Sequence, residues 1–229
     1  MNILILGATS GIGYELWRYY TTTTENTVAI AGRRNEILQR QIKEKPDSSI
    51  AFQCDVADCS SVDLMLKDLI SRLGHLDLAI VCAGIGELNP DLNLTIELAT
   101  ISVNVKGWTN AVDSIYKIFE RQKSGHLVAI TSVGGLQPTP IAPSYSASKA
   151  FQINYTKSLQ KKSKGAPIVV TEIRPGLVNT RMAKGEGLFW VMPLDKVAKE
   201  IVTAINKKQN LKIVTTRWRV LNWLLKHFM

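Results

Sequence analysis

Seven short apolar runs alternate with longer segments of helical periodicity, and this alternation limits the fold more than any other feature. The runs are rich in β-branched residues and lie at Ile3–Leu6, Thr27–Ala31, Ile50–Cys54, Leu76–Cys82, His126–Thr131, Ile168–Ile173 and Leu211–Thr215. The segments between them predict helices at Gly11–Tyr20, Asn35–Lys45, Ser60–Leu73, Thr95–Arg121, Ser144–Ser163 and Leu194–Lys207. Because continuous apolar runs are typical of strands buried on both faces, the pattern predicts an α/β fold. Its core would be a doubly wound, seven-stranded parallel sheet with helices on both faces.

The chain length of 229 residues suits one such domain. We predict a single domain over residues 1–216, followed by a basic, aromatic helix over residues 217–229 that belongs to the domain or lies at an interface. No apolar run approaches the ~18 residues that a membrane span needs. The apolar start, Met1–Gly7, lacks the basic residues and cleavage site of a signal peptide, and it reads as a buried strand.

The three cysteines, Cys54, Cys59 and Cys82, show no metal-ligand spacing, and an odd number is a poor disulfide framework. We therefore expect no metal site and a reducing, cytoplasmic setting.

A glycine-rich turn joins the first strand to the first helix and contains Gly7, Gly11 and Gly13. Glycines in such a turn let a pyrophosphate approach backbone N–H groups at the helix N-terminus. The spacing differs from the usual dinucleotide-binding pattern, so by itself the turn indicates either a nucleotide site or tight packing.

Two arginines, Arg33 and Arg34, follow Gly32 at the end of the second strand. An NAD-selective site places a carboxylate at this position to bind the ribose 2′-hydroxyl. Two guanidinium groups instead suit the 2′-phosphate of NADP(H), unless they are simply solvated at the helix start.

Tyr145 and Lys149 are spaced i, i+4 and so lie on one helical face. A nearby ammonium and the positive nicotinamide of an oxidised cofactor would stabilise tyrosinate and lower the tyrosine pKa toward the range needed for acid/base catalysis. Ser132 lies 13 residues upstream, at the carboxyl end of a strand, where parallel sheets bind their ligands. A lone Tyr–Lys pair of this spacing also occurs on ordinary helix surfaces.

Taken in order, these motifs resemble the short-chain dehydrogenases/reductases, single-domain enzymes of Rossmann type, over the chain to about Thr180. The motifs are Gly7/Gly11/Gly13, Asp55-Val56, Cys82-Ala83-Gly84, Asn104, Ser132, Tyr145/Lys149 and Pro175-Gly176 with Thr180. One departure is visible, since the family usually has Asn where this chain has Cys82. That asparagine ties strands together, so we expect its loss to affect local stability more than chemistry.

The resemblance implies a catalytic set of Asn104, Ser132, Tyr145 and Lys149. Tyr145 would be the proton donor or acceptor, Lys149 would bind the nicotinamide ribose and tune Tyr145, and Ser132 would hydrogen-bond the reacting oxygen. Asn104 would anchor a water that links Lys149 to solvent. The implied NADP(H) contacts are Gly7, Thr9, Ser10, Gly11, Ile12, Gly13, Arg33, Arg34, Asp55, Val56, Ala83, Gly84, Tyr145, Lys149, Pro175, Gly176, Val178 and Thr180.

The function so implied is NADPH-dependent hydride transfer between the nicotinamide and a carbonyl or secondary alcohol, with a small-molecule substrate that is apolar or lipid-linked. Two alternatives are an NADPH-binding redox sensor without turnover and the reductase subunit of a coupled epimerase pair. In this family the segment from Arg181 to Pro193 covers the substrate. Its apolar residues would line the pocket or pack the loop onto the domain; they are Met182, Leu188, Phe189 and Trp190.

Charge is unevenly distributed along the chain. Residues 157–229 hold 15 Lys or Arg against 4 Asp or Glu, whereas residues 1–156 hold 13 against 15. This asymmetry indicates an acidic partner or a solvated basic surface. The C-terminal segment from Arg217 to Met229 combines basic residues with Trp and Leu, as interfacial helices do. It would contact an anionic membrane peripherally, dock on its own core or form a dimer interface. We expect a homodimer and no nucleic acid partner.

Overall fold

The computed structural model describes residues 1–22, 25–180, 182, 190–214 and 217. The strands are β1 (Asn2–Leu6), β2 (Thr27–Gly32), β3 (Ser49–Gln53), β4 (Leu78–Val81), β5 (Gly125–Ile130), β6 (Ile168–Pro175) and β7 (Leu211–Val214). The helices are α1 (Gly11–Tyr20), α2 (Asn35–Glu44), α3 (Cys59–Leu73), α4 (Leu94–Ile101), α5 (Trp108–Gln122), α6 (Pro143–Lys162) and α7 (Leu194–Asn206).

All seven strands form one parallel sheet in the order β3-β2-β1-β4-β5-β6-β7, so the predicted fold is confirmed. Side chains of β1 alternate between the two faces, since Leu4 and Leu6 join one core cluster whereas Ile3 and Ile5 join the other. The first cluster packs under α3 and α5, and the second under α1 and α7. The two buried faces explain why the strands read as continuous apolar runs.

The strand order reverses between β1 and β4. The chain builds β2 and β3 on one side of β1 and then returns to place β4 on the other side. In open parallel sheets this reversal leaves a crevice at the carboxyl ends of the two central strands. The glycine turn after β1 and the residues after β4 therefore face each other across it.

Strand β4 is shorter than its apolar run predicts. The backbone N–H of Leu76 donates to Gln122 Oε1 at 3.0 Å, and its carbonyl accepts from Gln122 Nε2 at 2.9 Å. A side chain of α5 thus takes the place of the strand ladder at Leu76, although that residue is buried.

The predicted helix Thr95–Arg121 is interrupted. Between α4 and α5 the backbone forms a π-helical turn over Ser102–Gly107, called here the π turn. Asn104 lies within it and is fully buried. π turns inside helices are often found at functional sites because they redirect side chains and backbone carbonyls.

The C-terminal segment from Trp218 to Met229 lies outside the described residues, as do Leu188 and Phe189. Within the described part of the chain, no helix is both long and apolar enough to cross a bilayer.

Candidate active site

A cleft of about 1100 Å³ opens along the carboxyl edge of the sheet. It runs from the glycine turn, past the ends of β2 and β4, to the start of α6. Every residue predicted to contact the cofactor lines this cleft. Asn104 does not line the cleft, because it lies fully buried behind Gly84.

Two positions in the glycine turn after β1 can hold only glycine. Gly7 has a φ of +93°, and a Cβ there would lie 2.7 Å from the backbone nitrogen of Ala83. A Cβ on Gly13 would collide with the carbonyl oxygen of Gly7. The turn therefore brings the ends of β1 and β4 into direct backbone contact, which explains why the predicted motif contains these glycines.

The N-terminus of α1 is open to an anion. Ser10 is its N-cap residue, but the Ser10 side chain makes no capping hydrogen bond. The N–H groups of the first helical turn have no acceptor within a helix. Together with the helix dipole they fit a pyrophosphate group.

Arg34 connects the end of β2 to the glycine turn. Its Nη2 donates to Thr9 Oγ1 and to Ser10 Oγ, each at 2.8 Å. A Cβ on Gly32 would lie 3.0 Å from Thr9 Cγ2, so a carboxylate side chain there would displace Thr9. Arg33 is exposed at the rim of the same part of the cleft. The end of β2 is thus electropositive and holds no acidic side chain.

The next part of the cleft, where adenine contacts are predicted, follows β3. One carboxylate oxygen of Asp55 accepts from the backbone N–H of Ala57 at 3.0 Å, which fixes the side chain after the strand. Val56 is buried beside it. A Cβ on Gly107, the last residue of the π turn, would collide with the carbonyl oxygen of Val56. The helix can approach this loop closely only because that residue is glycine.

The other end of the cleft holds Tyr145, the predicted acid/base residue. Tyr145 lies in the first turn of α6, and Ser132 follows β5, with its Oγ accepting from the Gly134 N–H at 3.0 Å. Lys149 Nζ lies 5.9 Å from the centroid of the Tyr145 ring. The structure therefore brings Tyr145, Ser132 and Lys149 together at the carboxyl end of β5.

Burial dominates the ionisation of both groups on α6. It raises the pKa of Tyr145, and the Ser132 hydroxyl lowers it in part. It also lowers the pKa of Lys149 to about 8, against a smaller opposing effect of Cys82. In the protein alone the net direction for Tyr145 is thus opposite to the one expected from a neighbouring ammonium, because desolvation of the phenolate outweighs the hydrogen bond with Ser132.

Asn104 fixes the loop that follows β4. Its Oδ1 accepts from the N–H of Ile85 at 2.9 Å, and its Nδ2 donates to the carbonyl of Ile85 at 2.7 Å and to Ser148 Oγ at 3.1 Å. Its backbone carbonyl accepts from Gln152 Nε2 at 2.8 Å. The side chain is therefore used in structure, and the backbone carbonyl faces the Lys149 side of α6.

The family model for short chain dehydrogenases matches residues 1–188 of this chain. The chain belongs to the short-chain dehydrogenase family. Strands β1 to β6, the glycine turn and the tyrosine–lysine helix all fall within the matched residues.

Two relatives span most of this short-chain dehydrogenase. It is 28% identical over 214 residues to an uncharacterized oxidoreductase of Staphylococcus epidermidis, covering 92% of this chain and 93% of the relative. It is 31% identical over 186 residues to the 3-oxoacyl-[acyl-carrier-protein] reductase of Staphylococcus aureus, covering 79% of this chain and 76% of that one. Among solved structures, the closed form of serine dehydrogenase complexed with NADP+ superposes with a TM-score of 0.84 at 24% identity, covering 93% of this chain and 94% of that one.

The departure at Cys82 is accommodated within the sheet. The backbone N–H of Cys82 donates to the carbonyl of Leu6 at 2.8 Å, and burial raises the pKa of its thiol to about 12. The side chain therefore behaves as a small apolar group beside Lys149. All three cysteines are free.

Two residues that the sequence did not predict, Gly86 and Gln152, also contact the site of this dehydrogenase. A Cβ on Gly86 would lie 2.7 Å from Cδ2 of the Tyr145 ring, so Gly86 makes room for that ring. Gln152 accepts from Lys149 Nζ at 2.9 Å. Gln152 could have been found, because it lies at i+3 from Lys149 and i+7 from Tyr145 and so shares their helical face.

Outside the predicted cofactor contacts, the cleft is lined largely by apolar side chains. They include Ile85, Leu88, Leu136, Pro138, Met182 and Leu194, and the polar members include Glu87, Gln137 and Thr139. Met182 thus lines the pocket, whereas Trp190 is largely exposed, with the Arg217 guanidinium 5.7 Å from its ring centroid. In the described ranges no group of three His, Cys, Asp or Glu could hold a metal ion.

Proposed function

We propose that this short-chain dehydrogenase transfers a hydride between NADP(H) and an apolar carbonyl compound or its secondary alcohol. The observation that carries the proposal is one continuous cleft. It joins an anion-binding glycine turn to a buried tyrosine with a serine and a lysine beside it.

Each polar group has a distinct part in the reaction. When bound, the nicotinamide supplies the hydride to the carbonyl carbon or takes it from the alcohol. Tyr145 gives its phenolic proton to the carbonyl oxygen, or accepts the alcohol proton in the other direction. Ser132 donates to the same oxygen and holds it in place, which stabilises the developing alkoxide. The Lys149 ammonium stabilises the tyrosinate that remains after proton transfer.

The end of β2 supports NADPH over NADH. Gly32 leaves no carboxylate for a ribose 2′-hydroxyl, and Arg34 lies beside Thr9 and Ser10 with Arg33 at the rim. A guanidinium group binds phosphate in a planar, bidentate manner that the 2′-phosphate can satisfy.

The apolar lining supports a substrate with a hydrocarbon portion. A relative at 31% identity is a 3-oxoacyl-[acyl-carrier-protein] reductase, which agrees with an apolar chain next to a ketone. Met182, from the segment that covers the substrate in this family, and Leu136, which follows β5, both line the cleft.

The test is NADPH oxidation, followed by absorbance, against ketones that range from small diketones to long-chain, thioester-linked and lipid-linked ones. Tyr145→Phe should lower kcat by about 10³-fold, because it removes the proton donor and keeps the ring. Tyr155→Phe on the same helix is the matched control and should keep full activity. Tight NADPH binding without turnover on any ketone would contradict the proposal and favour the sensor. Turnover only with a second protein present would favour the coupled epimerase pair.

We also propose a homodimer formed through α4 and α6. Three apolar side chains of α4, Leu94, Leu98 and Ile101, are exposed, as is Phe151 on α6. Contiguous exposed apolar groups mark interaction surfaces. Leu98→Glu should convert a dimer to a monomer in sedimentation velocity, whereas Leu64→Glu on α3, at a leucine that is even more exposed, should not. A monomeric wild type would overturn this proposal.

Membrane contact through the C-terminal segment stays a prediction. Its test is liposome sedimentation of the full chain against a truncation before Arg217, with anionic and neutral vesicles. Equal, negligible binding by both proteins would contradict it.

A further inference from the structure

Gln152 lies between two of the residues that the proposed function requires. It is fully buried on α6. Its Oε1 accepts from Lys149 Nζ at 2.9 Å, and its Nε2 donates to the backbone carbonyl of Asn104 at 2.8 Å. The one carboxamide therefore joins the ammonium on α6 to the π turn.

The orientation of this carboxamide follows from chemistry. An ammonium group only donates hydrogen bonds and a backbone carbonyl only accepts them. The amide oxygen must then face Lys149, and the amide nitrogen must face Asn104. Glutamine suits this place because its terminal carboxamide carries an acceptor oxygen and a donor nitrogen on one uncharged group.

The bridge limits where the Lys149 ammonium can point. Lys149 is only 5% exposed, and besides Gln152 its Nζ donates to the carbonyl of Ile130 at 3.4 Å. Two of its three N–H donors are thus assigned within the described residues, and Lys149 itself lines the cleft. The remaining donor can serve a cofactor hydroxyl in the cleft.

We propose that Gln152 is a positioning residue that ties Lys149 to the Asn104 carbonyl and thereby sets the direction of the ammonium and how firmly it keeps its proton. This inference rests on the proposed function for the role of Lys149 in catalysis, but the bridge itself can be tested without turnover.

The surroundings of Lys149 leave the Gln152 amide as the main polar partner of the ammonium. The titratable groups that face it are Cys82 at the end of β4 and Tyr145 on α6. In the ranges that the structure describes, no ion pair involves Lys149, and no carboxylate contributes to its pKa shift. A neutral acceptor therefore supports the ammonium, and burial holds the pKa of Lys149 at about 8.

This arrangement predicts opposite effects of two substitutions. Gln152→Met keeps the volume but removes the acceptor, so Lys149 should lose its proton at a pH about one unit lower. Gln152→Glu places a carboxylate beside the ammonium, so Lys149 should lose its proton at a higher pH than in the wild type.

The first measurement is an NMR titration of Lys149 with ¹³C-labelled lysine, its Cε resonance assigned by its absence in Lys149→Arg. Gln160→Met is the matched control, since Gln160 is a glutamine on the same helix that bonds the carbonyls of Val170 and Asn210. It should leave the Lys149 titration unchanged. If Gln152→Met fails to fold, Gln152→Asn takes its place, because its shorter amide cannot span both partners and should act as Met does. If Gln152→Glu fails to fold, a shift of the Lys149 titration to lower pH in Gln152→Met, absent in Gln160→Met, decides the role.

The second measurement is the pH dependence of ketone reduction. For Gln152→Met we expect kcat to fall about tenfold with the ketone KM within twofold, and the alkaline limb to move to lower pH. For Gln152→Glu that limb should move to higher pH.

The outcomes separate the two proposals. Shifts of Lys149 in the same direction for Gln152→Met and Gln152→Glu, or no shift in either, would overturn the positioning role even in an active enzyme. A wild type that reduces no ketone would overturn the proposed function, while the Lys149 titration would still decide the role of Gln152.

Discussion

At the scale of single residues, the position of Tyr145, the proposed acid/base residue, depends on a neighbour that carries no side chain. Gly86 lies against the ring of Tyr145, and a Cβ at Gly86 would approach Cδ2 to 2.7 Å and Cε2 to 2.9 Å. Since Gly86 has no positive φ, its backbone conformation is compatible with alanine. An added Cβ would therefore displace the Tyr145 ring rather than strain the backbone.

We therefore predict that Gly86→Ala displaces the tyrosine ring and lowers kcat about 10²-fold, because errors of about 1 Å in a catalytic group have effects of that size. The melting temperature should change little. Steady-state kinetics and thermal unfolding are the measurements. Gly74→Ala is the contrast, since Gly74 has a φ of +72° and open space around it: it should cost stability and keep kcat. Full activity in Gly86→Ala would show that the ring has room to spare.

The arginine pair defines a second prediction at this scale. Arg34→Gln should raise the NADPH Kd by about 10- to 100-fold, as expected for the loss of a charge-assisted hydrogen bond to phosphate, and leave the NADH Kd nearly unchanged. Isothermal titration with both cofactors is the measurement. Arg40→Gln, an exposed arginine on α2, serves as the control. Equal losses for the two cofactors would mean that Arg34 only supports the glycine turn.

At the scale of elements, α4 is tied to the N-terminus of α6, the helix that carries Tyr145 and Lys149. Glu97 on α4 accepts from the Ser144 N–H of α6 at 3.1 Å and from Asn89 Nδ2 at 2.6 Å. Ala142, the N-cap residue of α6, offers no side-chain cap. A carboxylate from another helix thus caps the helix that bears Tyr145, where the helix dipole favours negative charge.

Glu97→Ala should therefore lower the free energy of unfolding by about 1–2 kcal/mol, from loss of the cap and of the acceptor for the buried Asn89 amide. Urea unfolding measures it. Glu120→Ala breaks only an exposed ion pair with Lys162 and should stay within about 0.5 kcal/mol of the wild type. A Glu97 variant as stable as the Glu120 variant would contradict the capping role.

At the scale of the whole molecule, the two edges of the sheet have separate tasks. The carboxyl edge holds the cleft, whereas His126, near the start of β5, is largely buried at the amino edge with its Nε2 2.8 Å from Thr171 Oγ1. Burial lowers the pKa of His126 to about 4, and Lys208 adds to the effect. The unfolded chain then binds this proton more readily than the folded one, at every pH between about 4 and 6.5.

Stability should accordingly be highest above pH 6.5 and decline as the pH falls toward 4. Between pH 7 and pH 5 we expect His126 to account for about 1 kcal/mol of that loss, after allowing for its partial exposure. His126→Gln should remove this share, as measured by urea unfolding at both pH values. The exposed His75→Gln should retain it. Parallel losses in wild type and His126→Gln would show that other groups govern the acid sensitivity.

The alternation of apolar runs and helical segments determined the element order, and both ends of all seven strands were predicted within two residues. This was possible because burial on two faces leaves its mark in each local run. The glycine turn and the Tyr145–Lys149 pair could also be predicted from the sequence, since a tight turn and a shared helical face depend only on neighbours along the chain.

Only the tertiary structure decided which distant groups meet. Gln152 and Asn104 are 48 residues apart, Glu97 caps a helix 47 residues further on, and Gly86 matters only because the Tyr145 ring lies over it. The π turn that aims the Asn104 carbonyl at Gln152 interrupts a helix whose periodicity predicted no break. Periodicity records that a side chain is buried, but not which partner it finds, because that partner is set by the packing of helices onto the sheet.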